Sequence, residues 1–260
     1  MIKPHVAAAT TLLAALAVAM GTTAPAAAIT PEYADTLTAG QGILIGDGLC
    51  SIGFFGTNAD GDRLAVTAGH CAEGVGDEVT TTDGETIGEV VDWQDDGGTP
   101  DGSITLADPR GYTVIAIEDD WEVDPVFATA ADPEVGEPVA KTGERTGTTV
   151  GTVTALLHQD AAPEHRLVNA ELVVLGGDSG SPWYQQTRGG RYVLVGISSS
   201  GNFGTQNPDQ AISTAQTIEG LYEQIAASGS AWMVPAITSA GTPRLLATVA
   251  IPLRGGVGTI

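Results

Sequence analysis

Short, largely apolar runs rich in Val, Ile, Thr and Phe alternate with polar turns of glycine and aspartate, the pattern of successive short β-strands. The first set is Ile43–Ile45, Ser51–Phe55, Arg63–Thr67, Glu78–Thr82, Thr86–Val91 and Ser103–Leu106. Short strands at this spacing predict a small barrel. An acidic stretch follows at about 108–137, with Pro109, Pro125 and Pro133 and one convincing strand, Tyr112–Ile117. It reads as a crossover. The second set, Pro138–Lys141, Thr148–Leu157, Arg166–Val174, Pro182–Gln185 and Tyr192–Ser198, predicts a second barrel. Helical spacing comes late, at Ile218, Leu221, Tyr222, Ile225 and Ala226, with Ser213 and Gln216 as a capping box and Gly229 as a stop. The expected fold is therefore all-β, two barrels closed by a C-terminal helix, over residues 43–229.

The flanks differ in character. Lys3 and His5 precede an apolar stretch from Val6 to Met20 and the small residues Ala26-Ala27-Ala28, the layout of an export signal over 1–28. A secreted chain starting near Ile29 is expected, with no stable membrane association, because that apolar core is shorter than the roughly 18–20 residues of a span. Residues 29–42 lack periodicity and read as a short pro-segment or N-terminal arm. The tail, 230–260, holds Arg244 and Arg254 and no carboxylate, a composition shift that sets it apart. Its role is not readable.

Composition narrows the class. A chain of 260 residues with 42% hydrophobic residues and 35 glycines suits a globular, turn-rich β protein of one or two domains. A formal charge of -22 argues against a nucleic-acid partner, whose phosphates it would repel. Only Cys50 and Cys71 are present, and an even pair in an exported chain reads as a disulfide. Such a loop stabilises by roughly 3 kcal/mol in the chain-entropy model. A monomer is expected.

Candidate chemistry centres on Gly176-Gly177-Asp178-Ser179-Gly180-Ser181-Pro182, which places a serine between glycines after an apolar run. A serine hydroxyl needs a base and a group to orient that base. The histidines are His5, His70, His158 and His165, and none follows Ser179. That excludes the Ser…Asp…His order of α/β-hydrolases and disfavours an esterase on that fold. What remains is the order His…Asp…Ser, with His70 first; His158 and His165 read as surface residues of a hairpin.

Thr67-Ala68-Gly69-His70-Cys71 together with Gly177-Asp178-Ser179-Gly180 resembles the trypsin/chymotrypsin family of serine endopeptidases. Lys141-Thr142-Gly143, Thr146-Gly147-Thr148 and Gly151-Thr152-Val153-Thr154-Ala155-Leu156 extend the similarity to the secreted bacterial, streptogrisin-like branch, over about 43–228. The resemblance implies a chymotrypsin-like double β-barrel acting on peptide or protein substrates without a cofactor or metal. Ser179 would be the nucleophile and His70 the base, with the N–H groups of Gly177 and Ser179 as the oxyanion hole. Cys50–Cys71 would tie down the histidine loop.

In the family an aspartate opens a strand of the first barrel. Pro100-Asp101-Gly102-Ser103-Ile104-Thr105-Leu106 fits, so Asp101 is the expected third member, with Asp92 and Asp108 as rivals. The compact spacing from His70 is a departure. Asp178 is expected in a structural ion pair with Lys141, Arg145 being the other candidate. Val173, six positions before Ser179, stands where a trypsin-like member carries an aspartate, so an uncharged pocket is expected, with Ser199 and Gly201 on its wall. There is no cysteine pair around that pocket. Asp92, Asp95 and Asp96 read as a solvated acidic loop rather than a calcium site. The competing functional reading is an inactive protease homologue that uses the barrels as a binding module.

Overall fold

The computed structural model describes residues 36–98, 104–124, 126–201 and 211–229. The expected signal, the tail and Asp101 lie outside them. The strands of the first half are β1 (Thr36–Thr38), β2 (Gly42–Ile45), β3 (Gly48–Ser51), β4 (Phe54–Thr57), β5 (Arg63–Ala68), β6 (Glu78–Thr81), β7 (Thr86–Gln94) and β8 (Tyr112–Ile117). Two short ones, β9 (Glu122–Asp124) and β10 (Phe127–Ala130), lead into β11 (Pro138–Gly143), β12 (Gly147–Leu157), β13 (Leu167–Ala170), β14 (Pro182–Gln186), β15 (Tyr192–Gly201) and β16 (Ser213–Thr217). Helix α1 (Ile218–Ala227) follows directly.

One sheet runs β3-β2-β6-β7-β8-β5-β4 and the other β10-β15-β14-β11-β12-β13-β16. Strand β16 pairs with both β13 and β15, which closes the second sheet into a barrel. This is a chymotrypsin-like double barrel.

Three apolar clusters follow from the strand patterns. Ile43, Ile52, Val79, Ile87 and Ile115 pack inside the first barrel, and Val139, Val153, Val168, Trp183 and Val195 inside the second. The third joins the halves: Phe54, Leu64, Val66 and Val114 meet Leu194 and Ile197 of β15, with Ile218, Leu221 and Ile225 of α1 closing it. Those helix residues are fully buried, and Tyr222 stands edge-on to Phe54 at 5.6 Å. Strand β15 faces apolar groups on both sides, which is why its run from Val193 to Ile197 hardly alternates.

Three expectations are corrected. Tyr112–Ile117 is not part of the crossover: it is β8, held between β5 and β7 and buried along most of its length. Residues 104–106 do not form a strand. Thr105 and Asp108 close a turn there, through Asp108 N–H to Thr105 O at 3.2 Å and Thr105 N–H to Asp108 Oδ2 at 2.7 Å. A carboxylate that bonds the backbone locally competes with a ladder, and Leu106 is left exposed. Ser213 and Gln216 belong to β16 rather than to a capping box; the N-cap is Thr217, whose hydroxyl accepts from Gly220 N–H at 3.3 Å. Within the stretch expected to be a pro-segment or arm, β1 pairs in parallel with β9 and buries Leu37 completely.

Asp132 sets one edge of the helix. It accepts the N–H of Glu219 at 3.0 Å in the first turn of α1, and burial pushes its carboxyl up to about 6, with the Glu219 charge adding to the rise. A carboxyl raised in the folded state binds its proton more tightly there than in the unfolded chain. Its contribution to stability is full below about pH 4 and is lost as pH rises through about 6. Asp132→Asn keeps the cap oxygen and cannot ionise. Urea unfolding should show a smaller loss of stability between pH 4 and pH 7 in this variant than in the unmodified chain; equal pH slopes would contradict the assignment.

Candidate active site

His70 lies on a 3-10 turn, Gly69–Cys71, directly after β5. Several contacts fix that turn. Trp93 Nε1–H donates to Gly69 O at 2.9 Å, Thr113 Oγ1–H to Ala68 O at 2.9 Å, and Cys71 is bonded to Cys50 of β3. The imidazole is about one-third exposed, and its Nδ1 lies 2.7 Å from Oδ2 of Asp96, whose side chain is only 6% exposed. The second oxygen, Oδ1, accepts the N–H of Gly111 at 2.6 Å. Asp92 points elsewhere, to Tyr112 OH at 3.3 Å and Ser228 Oγ at 3.1 Å. Asp92 and Asp96 therefore serve separate partners. Among the described residues no group of three or more metal-ligating side chains comes together.

The Ser179 loop is tied to both barrels. Ser51 of β3 donates its N–H to Ser179 O and its hydroxyl to Gly177 O, each at 2.8 Å, and Gly180 N–H donates to Ser198 O at 2.8 Å. Two glycines permit this course. Gly177 and Gly180 have φ of +103° and +78°, in the left-handed region. A Cβ on Gly180 would also lie 1.9 Å from Thr67 Oγ1 and 2.8 Å from Ala68 N. That close approach brings Ser179 up to the segment that leads into His70. Among the described residues the N–H groups of Gly177 and Ser179 donate to no protein acceptor.

Asp178 is fully buried, and so is Lys141, whose Nζ lies 3.2 Å from Asp178 Oδ2. Every oxygen of that carboxylate is used. Oδ1 accepts the N–H groups of Arg145 at 2.9 Å and Thr146 at 3.0 Å; Oδ2 also accepts Thr146 Oγ1–H at 2.8 Å and Leu175 N–H at 3.0 Å. Lys141 donates in turn to Thr146 Oγ1 and to Gly147 O. Burial pushes its ammonium below the ordinary lysine range, and Asp178 pulls against that shift. Lys141 forms the pair, and Arg145 reaches Asp178 through its backbone.

Val173 and Ser199 are buried, and a Cβ on Gly201 would come within 2.8 Å of Val174 O, so the two segments expected to line the pocket lie against each other. Ser199 sits where the β15–β16 register shifts, and its hydroxyl has no partner among the described residues. Neither Leu172–Gly176 nor Ser198–Gly201 contains a charged residue. A cavity of about 560 Å³ is lined by His70 and Cys71 together with the carboxylates of Asp47, Glu73, Asp77 and Glu78, and by no lysine or arginine.

Sequence reasoning missed Asp96, Ser51 and Thr146. The signal for Asp96 lay in the strand Tyr112–Ile117: once that strand belongs to the first barrel, Gly111 stands at its start and supplies no carboxylate, so one has to come from elsewhere.

No protein-family model matches the chain. The uncharacterised proteins MT1863 and Rv1815 from two strains of Mycobacterium tuberculosis are each 31% identical to it over 148 residues, 53% of this chain and 63% of theirs. The match thus spans less than two-thirds of those relatives. Among solved structures, Thermobifida fusca protease A superposes with a TM-score of 0.53 at 21% identity, covering 74% of this chain and 96% of its own. A Nocardiopsis protease gives 0.53 at 22%, covering 73% and 96%. A glutamic acid-specific serine protease, which uses a histidine triad in substrate binding, gives 0.54 at 26%, covering 74% and 98%. These neighbours are bacterial serine proteases of the chymotrypsin-like fold.

The buried ion pair makes a stability prediction. Lys141→Met leaves Asp178 charged and buried without its cation, and should cost about 3–5 kcal/mol in urea unfolding. Arg145→Ala keeps the backbone donor and should cost far less. Equal losses, or none for Lys141→Met, would contradict the pairing.

Proposed function

We propose that this chain is a secreted serine endopeptidase that cleaves peptide bonds through an acyl-enzyme, as a monomer without cofactor. The observation that carries the reading is His70, whose Nδ1 lies 2.7 Å from a buried carboxylate, together with a serine loop that closes on Thr67 and Ala68, just before His70, and whose Gly177 and Ser179 N–H groups donate to no acceptor among the described residues. Ser179 Oγ attacks the scissile carbonyl carbon as its proton passes to His70 Nε2. The carbonyl oxygen takes the developing negative charge against the N–H groups of Gly177 and Ser179, each donor worth roughly 2.7–4 kcal/mol in proteases of known mechanism. Collapse breaks the C–N bond, and His70 returns the proton to the leaving amine. Water then repeats the sequence on the ester.

The preference at the pocket follows its lining. Val173, Ser199 and Gly201 offer no charge to a Lys or Arg side chain, so an uncharged residue before the scissile bond is favoured. Export rests on the features of residues 1–28 and agrees with the oxidised Cys50–Cys71 pair.

A serine-directed phosphonofluoridate tests the enzyme reading. The mature chain should gain one adduct, mapped by mass spectrometry to Ser179 and absent from Ser179→Ala. Folded protein that stays unlabelled at Ser179 across about pH 6–9 would instead make it a binding module on a protease scaffold.

A further inference from the structure

We propose that Asp96, two residues past the end of β7, is the positioning carboxylate of His70, in a site whose strand-opening position, Gly111, cannot carry one. The proposal rests on the reading of Ser179 and His70 as nucleophile and base. In the antiparallel β7–β8 pair Gln94 stands opposite Tyr112, so the residues that follow Gln94 run past the start of β8. That register delivers Asp96 to Gly111. One oxygen accepts Gly111 N–H and the other takes His70 Nδ1, so the carboxylate is fixed between the strand it replaces and the ring it orients.

The same register closes position 111 to a side chain. A Cβ there would stand 1.8 Å from Gln94 O and 2.6 Å from the carbonyl carbon and oxygen of Asp95. No rotamer relieves a clash with backbone. Around it the backbone is fixed as well. Arg110 is 1% exposed, donates to the carbonyls of Asp108 and Thr105, and accepts Gln224 Nε2–H of α1 on its own carbonyl at 2.8 Å. Asp92 and Asp108 are committed to other donors. Asp101, the residue expected from its Pro-Asp-Gly setting, would have to displace a carboxylate already bonded on both oxygens.

During the proton transfer Nε2 gains the serine proton while Nδ1–H stays on the ring and donates to Asp96 Oδ2. The carboxylate stabilises the imidazolium and is not itself protonated. Converting the equivalent carboxylate to an amide in proteases of this fold costs about 10⁴-fold in kcat, because the wrong tautomer is held.

The test compares Asp96→Asn with Asp101→Asn in the full mature chain on one peptide substrate, with urea unfolding alongside. Asp96→Asn should lower kcat by about 10³- to 10⁴-fold with KM within a few-fold, and Asp101→Asn should leave both within about twofold. The reverse pattern overturns the proposal. Proton NMR of the His70 Nδ1–H covers the case in which Asp96→Asn fails to fold or the chain is inactive. A downfield, slowly exchanging signal should be present in the unmodified protein and unchanged in Asp101→Asn. Its absence, or its loss in Asp101→Asn alone, refutes the role of Asp96; unlabelled Ser179 in a protein that keeps the signal refutes the enzyme reading instead.

Discussion

The Lys141–Asp178 pair is the constraint on which the site depends. Two charges without water are tolerated only when every lone pair and proton has a partner, since the desolvation penalty otherwise exceeds their attraction. Here Asp178 collects two backbone N–H groups on one oxygen and a hydroxyl, an N–H and an ammonium on the other. Satisfying that set draws the 144–146 turn and the 175–178 turn onto one carboxylate. The next residue is Ser179. Its position is therefore set by the charge beside it, and the N–H groups of Gly177 and Ser179 donate to no acceptor among the described residues.

His70 is fixed by different means. Backbone and side-chain bonds from β7 and β8 hold its turn, and the Cys50–Cys71 bridge ties it to β3, whose Ser51 in turn holds the serine loop. The histidine turn and the serine loop are thus connected through one dipeptide, Cys50-Ser51. Gly180 completes the connection, because only the absence of a side chain lets the loop close on Thr67 and Ala68.

The two motifs were legible because each is local: a serine between glycines on a left-handed turn, and a histidine one residue before a cysteine. The double barrel was legible for the same reason, as short β-branched and aromatic runs between glycine and aspartate turns mark strands. What stayed hidden was long-range register. Tyr112–Ile117 reads as a strand in isolation, but its place between β5 and β7 is set by pairing, and so is the location of Asp96. Asp101 is favoured by its Pro-Asp-Gly neighbourhood, whereas the residues just after it, 104–108, turn on themselves through Thr105 and Asp108. Strands β9 and β10 flank Pro125 and are too short to show a period.

The central claim, that Ser179 becomes acylated, is tested most directly by pre-steady-state kinetics with a chromogenic ester. One equivalent of leaving group per chain should appear in a burst, with the acyl mass on Ser179, and Ser179→Ala should show neither. Linear release from the first instant, equal in the chain and in Ser179→Ala, would contradict it.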